Sequence, residues 1–490
     1  MPRKKKEEAL LPPSPLEVNR AIYKQSFYQF YKDAFKVLEP NTDYQDNWHV
    51  KYLCDVLQEE TERIARKETK QRDIIINIPF RSSKSLICTV VWPAWVWCKY
   101  PTMKFIAASY SNDLSLELAT KSRDLLQSDW LLEHFPDVQL KKDNNNKSGF
   151  ENTKTGVRVS TSVGGTVTGK GADVILIDDP IDPRRASSEV EIKNANDWYN
   201  GTVYSRLNNF RTGVRIIIMQ RLHENDLSGH LLKKNPEGYR HICIPATDED
   251  PRNIKPVELR EKYVDGLFWP DRFTRAELLN FKSSLGSKGY SQQLMQRAVE
   301  SEGGMFKRDW FKNISAEDFR SRCDGKAPVF NVFIDSAETD KKDNDATGIV
   351  LAATIGADLY IKEVIAERKV FTDLIRFLKE WLPKYLSSTS KVHIEGKSSG
   401  KSLISQLKAE TSWNVVEVQP GRDAKVVRAE SVTPMVEGGR VFLIEGDWIE
   451  DFLEEICSFP LAAHDDTVDA FVYACKHIKS SSSFWYGSPW

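Results

Sequence analysis

Two sets of residues in this chain have the types and spacing that phosphate chemistry requires. The first, Arg81-Ser82-Ser83-Lys84-Ser85, directly follows the apolar run Ile74 to Ile78 and Pro79-Phe80. A loop so placed turns backbone amides toward phosphate, sets its lysine against the β/γ oxygens and puts a hydroxyl on Mg2+, the last two being roles that Lys84 and Ser85 fit. The G-x-x-x-x-G-K-[ST] spacing would place glycines at 78 and 83, where the chain has Ile78 and Ser83, so the bare pattern fails. Its complement is Val174-Ile175-Leu176-Ile177-Asp178-Asp179, an apolar strand ending in two carboxylates. Asp178 would serve the metal and Asp179 the attacking water of an ATPase. A plain turn at Asp178-Asp179-Pro180 explains that strand end alone; the loop and the strand end together favour nucleotide binding. Between them, the glycines of Gly164 to Gly171 permit a tight loop that leaves Lys170 free to reach phosphate, or a simple hairpin. Gln220 and Arg221 end the strand Val214 to Met219, where a γ-phosphate sensor would sit and where a solvated arginine is the ordinary alternative.

The second set is acidic. Asp335 ends the strand Val329 to Ile334, Glu395 ends Lys391 to Ile394, and Asp465, Asp466 and Asp469 open the helix Ala470 to Ile478. Hard oxygen ligands drawn from several elements are what a two-metal phosphodiesterase needs to hold Mg2+ or Mn2+ about 3.5–4 Å apart. On a helix, Asp466 and Asp469 share a face and Asp465 points elsewhere. Helix N-termini favour Asp for the dipole, which by itself accounts for Asp465 and Asp466. The conjunction of three acid-bearing elements favours an RNase H-like nuclease, with Asp343 and Asp345 as weaker candidates. Gly396 to Ser402 looks like a richer phosphate loop, but Gly396 and Gly400 are one residue too close and no aspartate-ended strand follows. Gly400 is read instead as a tight helix start beside Glu395.

The elements that must position these groups alternate strand and helix. Asp73 to Pro79, Lys104 to Ala108, Val157 to Val159, Asp173 to Ile177 and Val214 to Met219 read as strands, and their continuous apolar runs predict a sheet buried on both faces. Leu16 to Val37 and Trp48 to Ala65 have helical spacing, and Leu86 to Trp97 reads as a buried segment too short to span a bilayer. Pro245 to Gly325 breaks into short helices, turns and charged stretches with no new sheet, and Pro328 begins a second alternating block. The predicted fold class is α/β: a P-loop ATPase domain with a mostly parallel sheet and a small helical lid or linker, then an RNase H-like nuclease domain. The boundaries fall at 1–40 for an N-terminal helical extension, 41–245 for the ATPase core, 246–325 for the lid, 326–479 for the nuclease and 480–490 for a flexible aromatic tail.

Composition sets the class. With 69 basic against 70 acidic residues, binding of nucleic acid by bulk positive charge is excluded, and local patches remain. Seven cysteines without a C-x-x-C pair suit reduced core thiols and a cytosolic compartment. The basic start lacks an apolar core after it and is not a signal peptide.

The motifs resemble, in family order, the large terminase subunit of tailed double-stranded DNA phages. They are Asp46-Asn47-Trp48-His49, Ile78-Pro79-Phe80-Arg81-Ser82-Ser83-Lys84-Ser85, Ile177-Asp178-Asp179-Pro180, Met219 to Leu227 and Leu267-Phe268-Trp269-Pro270-Asp271-Arg272-Phe273. Phe333-Ile334-Asp335, Ile394-Glu395-Gly396-Lys397-Ser398-Ser399-Gly400 and His464-Asp465-Asp466-Thr467-Val468-Asp469-Ala470 complete the set. The resemblance spans about Asn41 to Ile478. It implies an ATP-driven packaging motor joined to a nuclease that cuts concatemeric DNA, with Mg2+ as cofactor and Mn2+ as a substitute in the nuclease. Arg81, Lys84, Ser85, Asp178 and Asp179 fall on its ATPase positions, and Asp335, Glu395 and Asp466 on its nuclease ligands, with Asp465 and Asp469 adjacent. Ser83 departs from the family's glycine, and Asp179 stands where many motors carry Glu. Arg158, Lys170, Arg184, Arg185 and Arg206 all compete as the trans-acting finger. Implied partners are double-stranded DNA, a portal or procapsid, a small terminase subunit and further copies in a ring, with no membrane, in the host cytoplasm. Lys397, Lys401, Lys408, Arg422, Lys425 and Arg428 are candidates for a DNA-facing basic surface, and Phe484, Trp485, Tyr486 and Trp490 for docking to the portal. A cellular helicase-nuclease or transposition protein, and a DNA-binding assembly protein with a decayed ATPase, are the alternatives.

Overall fold

Strand β1 (Asp73–Asn77) is buried along its whole length, with Ile74, Ile75 and Ile76 wholly inaccessible. That is the environment a run without alternation demands. The computed structural model describes residues 13–167, 169–298, 304–336, 346–419, 423–460 and 465–481, the side chains of residues 144, 398 and 479–481 excepted. The remaining strands of the first sheet are β2 (Phe105–Ser109), β3 (Leu140–Asn146), β4 (Gly149–Asn152), β5 (Val157–Ser162), β6 (Val174–Asp178), β7 (Val214–Met219) and β8 (Tyr239–Cys243). Their order is β3-β4-β5-β2-β6-β7-β1-β8, parallel throughout except where β4 pairs antiparallel with β3 and β5. Strands β1 and β6 flank β7, so the loop after β1 and the acids after β6 emerge at the same edge of the sheet.

Helix boundaries follow local chemistry. Ser14 and Glu17 form a capping box that starts Pro15–Gln25. The single helix read over Leu16 to Val37 is in fact two, because Ser26 adopts an extended backbone (φ −134°) and caps Phe27–Leu38 with its side chain. Trp48–Ala65 is one helix, as its spacing predicts. The apolar segment after the phosphate loop is helical but begins with a wide π turn, Leu86–Val91, before the α-helix Trp92–Lys99. Pro93 brings no N–H to that ladder, a common origin of such irregularity.

The second sheet comprises β9 (Lys312–Ile314), β10 (Phe330–Asp335), β11 (Thr347–Ile355), β12 (Asp358–Glu367), β13 (Lys391–Glu395), β14 (Asn414–Val418) and β15 (Val441–Ile444), in the order β14-β13-β10-β11-β12-β15-β9. Strand β11 runs antiparallel to both neighbours, and the other pairs are parallel. One face packs Val332, Ile334, Ile349 and Leu351 against Leu374, Leu378, Leu403 and Leu407. The other packs Phe333, Val350 and Leu443 against Phe471, Val472 and Cys475 of the last helix, Val468–Ser481.

The chain divides into two compact units, Met1–Leu278 with Gly289–Val299, and Leu279–Lys288 with Glu300–Trp490. The segment 246–325 is thus shared between them, and β9, a strand not expected there, belongs to the second sheet. No helix among the described residues is long and apolar enough to cross a membrane.

Candidate functional site

In the first unit the loop after β1 is wound tightly. Arg81 and Ser83 both take left-handed backbone (φ 59° and 61°), as does Asp179 after β6 (φ 44°). Non-glycine residues there are strained, and such strain gathers where a site needs a particular geometry. Ser83 therefore keeps the conformation that glycine favours at the position where the family has glycine. Ser82 is buried, its hydroxyl donating to the Pro79 carbonyl at 2.7 Å.

The loop and the acids meet. Lys84, 7% exposed, pairs with Asp179 Oδ2 at 3.0 Å, and Ser85 Oγ donates to Asp178 Oδ1 at 3.0 Å. Burial, and after it the charge of Asp179, holds the Asp178 carboxyl above the usual range, against the opposing pull of Lys84. Gln220 is buried beside them: its backbone N–H donates to Asp179 Oδ1 at 3.4 Å, and its side-chain Oε1 has no hydrogen-bond partner. A buried acceptor left unmet at a strand end calls for a donor that the side chains do not supply. Arg221 behaves otherwise. It pairs with the buried carboxylate of Asp226 at 3.0 Å, which explains it without a phosphate. Arg81 is exposed and makes no ion pair among the described residues; its charge is felt at Arg272.

Sequence reasoning missed two supports. Thr89 Oγ1 donates to Asp178 Oδ2 at 2.7 Å. His49, wholly buried, meets the Ser82 carbonyl through Nε2 at 3.0 Å and Asn47 Nδ2 through Nδ1 at 2.6 Å. Those contacts fix one neutral tautomer, Nε2–H donating and Nδ1 accepting, and burial lowers the His49 pKa to about 4. The nearby segment after Leu267 takes part: the Phe268 carbonyl accepts from Asn47 Nδ2 and Trp48 Nε1 at 2.8 and 2.9 Å.

In the second unit, register does the positioning. Ile334 pairs with Ile394 across the parallel strands β10 and β13, which sets Asp335 and Glu395 side by side at the strand ends. Asp335 also lies opposite Gly348 on β11. A Cβ at Gly348 would stand 2.2 Å from the Asp466 carbonyl oxygen, so this glycine admits the 465–467 turn. Gly400 likewise admits the Glu395 carbonyl, which a Cβ would meet at 1.9 Å.

Asp335 and Glu395 lie close enough for each carboxyl to shift the ionisation of the other. Burial, then the charges of Asp469 and Glu395, pushes the Asp335 carboxyl well up. Burial also raises Glu395, but hydrogen bonds from Tyr473, Asp335 and Lys397 outweigh it and hold it low. Lys397 Nζ lies 3.2 Å from Glu395 Oε2. Asp466 Oδ1 accepts the Ala346 N–H at 3.1 Å.

One sequence expectation is corrected here. The last helix begins at Val468, so Asp465 and Asp466 lie in the turn before it, and the helical face shared by Asp466 and Asp469 does not exist. Asp469 faces Arg428, which donates to its Oδ1 and Oδ2, both at 2.6 Å. Asp465 pairs with Lys425 at 3.0 Å. Among the described residues no three His, Cys, Asp or Glu side chains converge closely enough to hold a metal ion. The carboxylate donors of Asp335 and Glu395 nevertheless suit a hard divalent cation, whose charge would offset the repulsion between them. Asp343, Asp345, Arg422 and the aromatic tail lie outside the described residues.

The finger candidates separate. Arg158 is 1% exposed on β5 and cannot reach another subunit. Arg184 and Arg185 pair with Asp182 and Glu191 at 2.7 and 3.0 Å, and Arg206 donates to the Thr202 carbonyl. Lys170 is exposed.

No curated protein matches the chain. Among solved structures, the large terminase of a thermophilic bacteriophage is 12% identical, covering 87% of this chain and 99% of that one, with a TM-score of 0.45. For the bacteriophage HK97 large terminase the values are 10%, 91%, 99% and 0.32. For the large-terminase nuclease domain of bacteriophage SPP1 with bound Mn they are 16%, 34%, 96% and 0.25. A family model described as the terminase RNaseH-like domain matches residues 332–477, from within β10 to the last helix. The resemblance to large terminase subunits holds in this part of the chain: residues 332–477 belong to the terminase RNaseH-like domain family.

Proposed function

We propose that this chain is the motor and cutting subunit of a viral DNA-packaging machine, hydrolysing ATP in its first unit and DNA phosphodiester bonds in its second. The observation that carries the reading is the meeting of Lys84 with Asp179 and of Ser85 with Asp178 in a chain that also contains a terminase RNaseH-like domain. ATP would draw Lys84 from Asp179 onto its β/γ oxygens, leaving the Asp179 carboxylate to orient water, with Gln220 beside it. Ser85 and Asp178 would hold Mg2+.

In the second unit Asp335, Glu395 and Asp466 would hold divalent metal, Mg2+ or Mn2+. Bound metal there would supply an activated water and stabilise the leaving oxygen. Asp465 and Asp469 stand behind them, positioned by Lys425 and Arg428. Exposed Lys401 and Lys408 would meet the DNA backbone without reading sequence. The proposed setting is a homo-oligomeric ring on a portal or procapsid, served by a small terminase subunit, in the host cytoplasm.

A crossed experiment tests both halves. Lys84→Ala should lower ATP turnover at least about a hundredfold and leave Mn2+-dependent plasmid cleavage intact. Asp335→Ala should do the reverse. Equal ATP turnover by wild type and Lys84→Ala in the presence of DNA defeats the motor reading, and undiminished cutting by Asp335→Ala defeats the nuclease assignment.

A further inference from the structure

The π turn after the phosphate loop buries one polar side chain in an apolar helix, that of Thr89. Its hydroxyl takes Asp178 Oδ2 at 2.7 Å, and Ser85 takes Oδ1 at 3.0 Å, so each carboxylate oxygen accepts one hydroxyl and keeps a lone pair. The carbonyl of Thr89 is in an unusual position. In this π turn the backbone bonds run from residue i+5, as from the Trp92 N–H to the Ile87 carbonyl, and Pro93 brings no N–H of its own. Arg158 donates to the Thr89 carbonyl from outside the helix, one guanidinium nitrogen reaching it at 3.1 Å and the other the Ser160 hydroxyl at 2.9 Å. Arg158, Thr89 and Asp178 are each 1% exposed. A guanidinium so deeply buried on a sheet strand is costly unless it is paired and hydrogen-bonded, and these contacts supply the hydrogen bonds. Arg158 also sends favourable charge to Asp178, and the Phe150 ring lies 5.7 Å from its guanidinium carbon.

We propose that Arg158 and Thr89 are positioning residues of the nucleotide site. Arg158 holds the Thr89 carbonyl from β5, and this fixes the Thr89 hydroxyl on Asp178 and sets the direction in which that carboxylate offers its lone pairs to Mg2+-nucleotide. The inference rests on the nucleotide reading above. It makes two residues distant in sequence, 89 and 158, one device for aiming a third.

The test is calorimetric binding of ADP to the full chain with and without Mg2+. Thr89→Val, which removes the hydroxyl at nearly constant volume, should leave Mg2+-free affinity within about twofold and weaken the Mg2+-dependent gain by about tenfold, the usual size of an outer-shell effect. Thr89→Ser should restore the gain. Arg158→Lys should lose part of it. Where Arg158→Lys does not fold, the Val and Ser variants at Thr89 decide alone. An unchanged Mg2+ dependence in Thr89→Val overturns the proposal and leaves the nucleotide reading standing. Equal weakening with and without Mg2+, not rescued by Ser, marks a merely structural role and also overturns it. A wild-type chain that binds no ADP in either condition overturns both.

Discussion

Around Asp178 and Asp179, two carboxylates face two buried cations, Lys84 and Arg158, and two hydroxyls satisfy the deeper acid. Around Asp335 the ratio is different. Among the described residues, five carboxylates, those of Asp335, Glu395, Asp465, Asp466 and Asp469, lie with three cations, Lys397, Lys425 and Arg428. In the first region charge closes within the side chains, and the unmet polar atoms are Gln220 Oε1 and Arg158 Nε. In the second, acids exceed cations among the described residues, and burial with the charges of Asp469 and Glu395 raises the Asp335 carboxyl. The same strand-end architecture therefore carries balanced charge in one unit and an excess of acid in the other.

The sharpest way to break this comparison is at Arg428. Its side chain is 8% exposed and that of Asp469 5%, so Arg428→Met strands a buried carboxylate. The expected cost is about 3–5 kcal/mol. Calorimetric melting should show it as a lowered transition of the C-terminal unit, with ATP turnover at 25 °C preserved. Adding Asp469→Asn should recover much of the loss. If the double variant melts no higher than Arg428→Met, the ion pair is not what holds this acid.

The matching experiment in the first unit is titration. Burial disfavours the charged form of His49, and Arg272 adds to it; together they outweigh the Ser82 carbonyl and Asp46, which favour that form. Its folded pKa of about 4 lies below the ordinary 6.5, so the unfolded chain binds the proton first as pH falls. The neutral form's contribution is full above pH 6.5 and is lost between 6.5 and about 4, about 3 kcal/mol in all. Denaturant midpoints measured across that window should fall less steeply in His49→Gln than in wild type. Identical slopes would remove His49 from the account of the loop.

Gly400 ranks next. A methyl there meets the Glu395 carbonyl at 1.9 Å, and backbone cannot yield as a flexible side chain can. Gly400→Ala should cost about 1–3 kcal/mol and reduce plasmid cleavage, because the displaced residue is Glu395 itself. Normal cleavage by a folded Gly400→Ala would mean that Glu395 tolerates being moved.

The sequence made some of this visible for physical reasons. Strands β1, β6, β7, β10 and β13 are buried on both faces or nearly so, and burial of that kind leaves an apolar run with a polar end that points to its site. Strands β3 and β4 carry Lys141-Lys142-Asp143-Asn144-Asn145-Asn146 and Gly149-Phe150-Glu151-Asn152, which neither alternate nor resemble a core, and pairing at a sheet edge selects them. The partner of Asp469 stands 41 residues away, at Arg428, and no local spacing announces it. Nor does local spacing announce Thr89, whose carbonyl meets Arg158 arriving from β5.

The smallest expected effect is at Ser83, and it bears on whether the missing glycine marks a weakened loop. Ser83 holds φ 61°, where a side chain costs about 1–2 kcal/mol that glycine would not incur. Against this, glycine adds backbone freedom to the unfolded chain, worth roughly 0.5–1 kcal/mol. The terms nearly cancel, so Ser83→Gly should change stability by no more than about 1 kcal/mol in either direction. Its effect on turnover separates two accounts. A loop already shaped as the glycine form would be shaped, and held by His49 through the neighbouring Ser82 carbonyl, gains nothing, and ATP turnover should stay within about twofold of wild type. A tenfold rise would mean that serine deforms the loop, and the first site would then be a compromised version of the architecture that Asp178 and Asp179 were placed to serve.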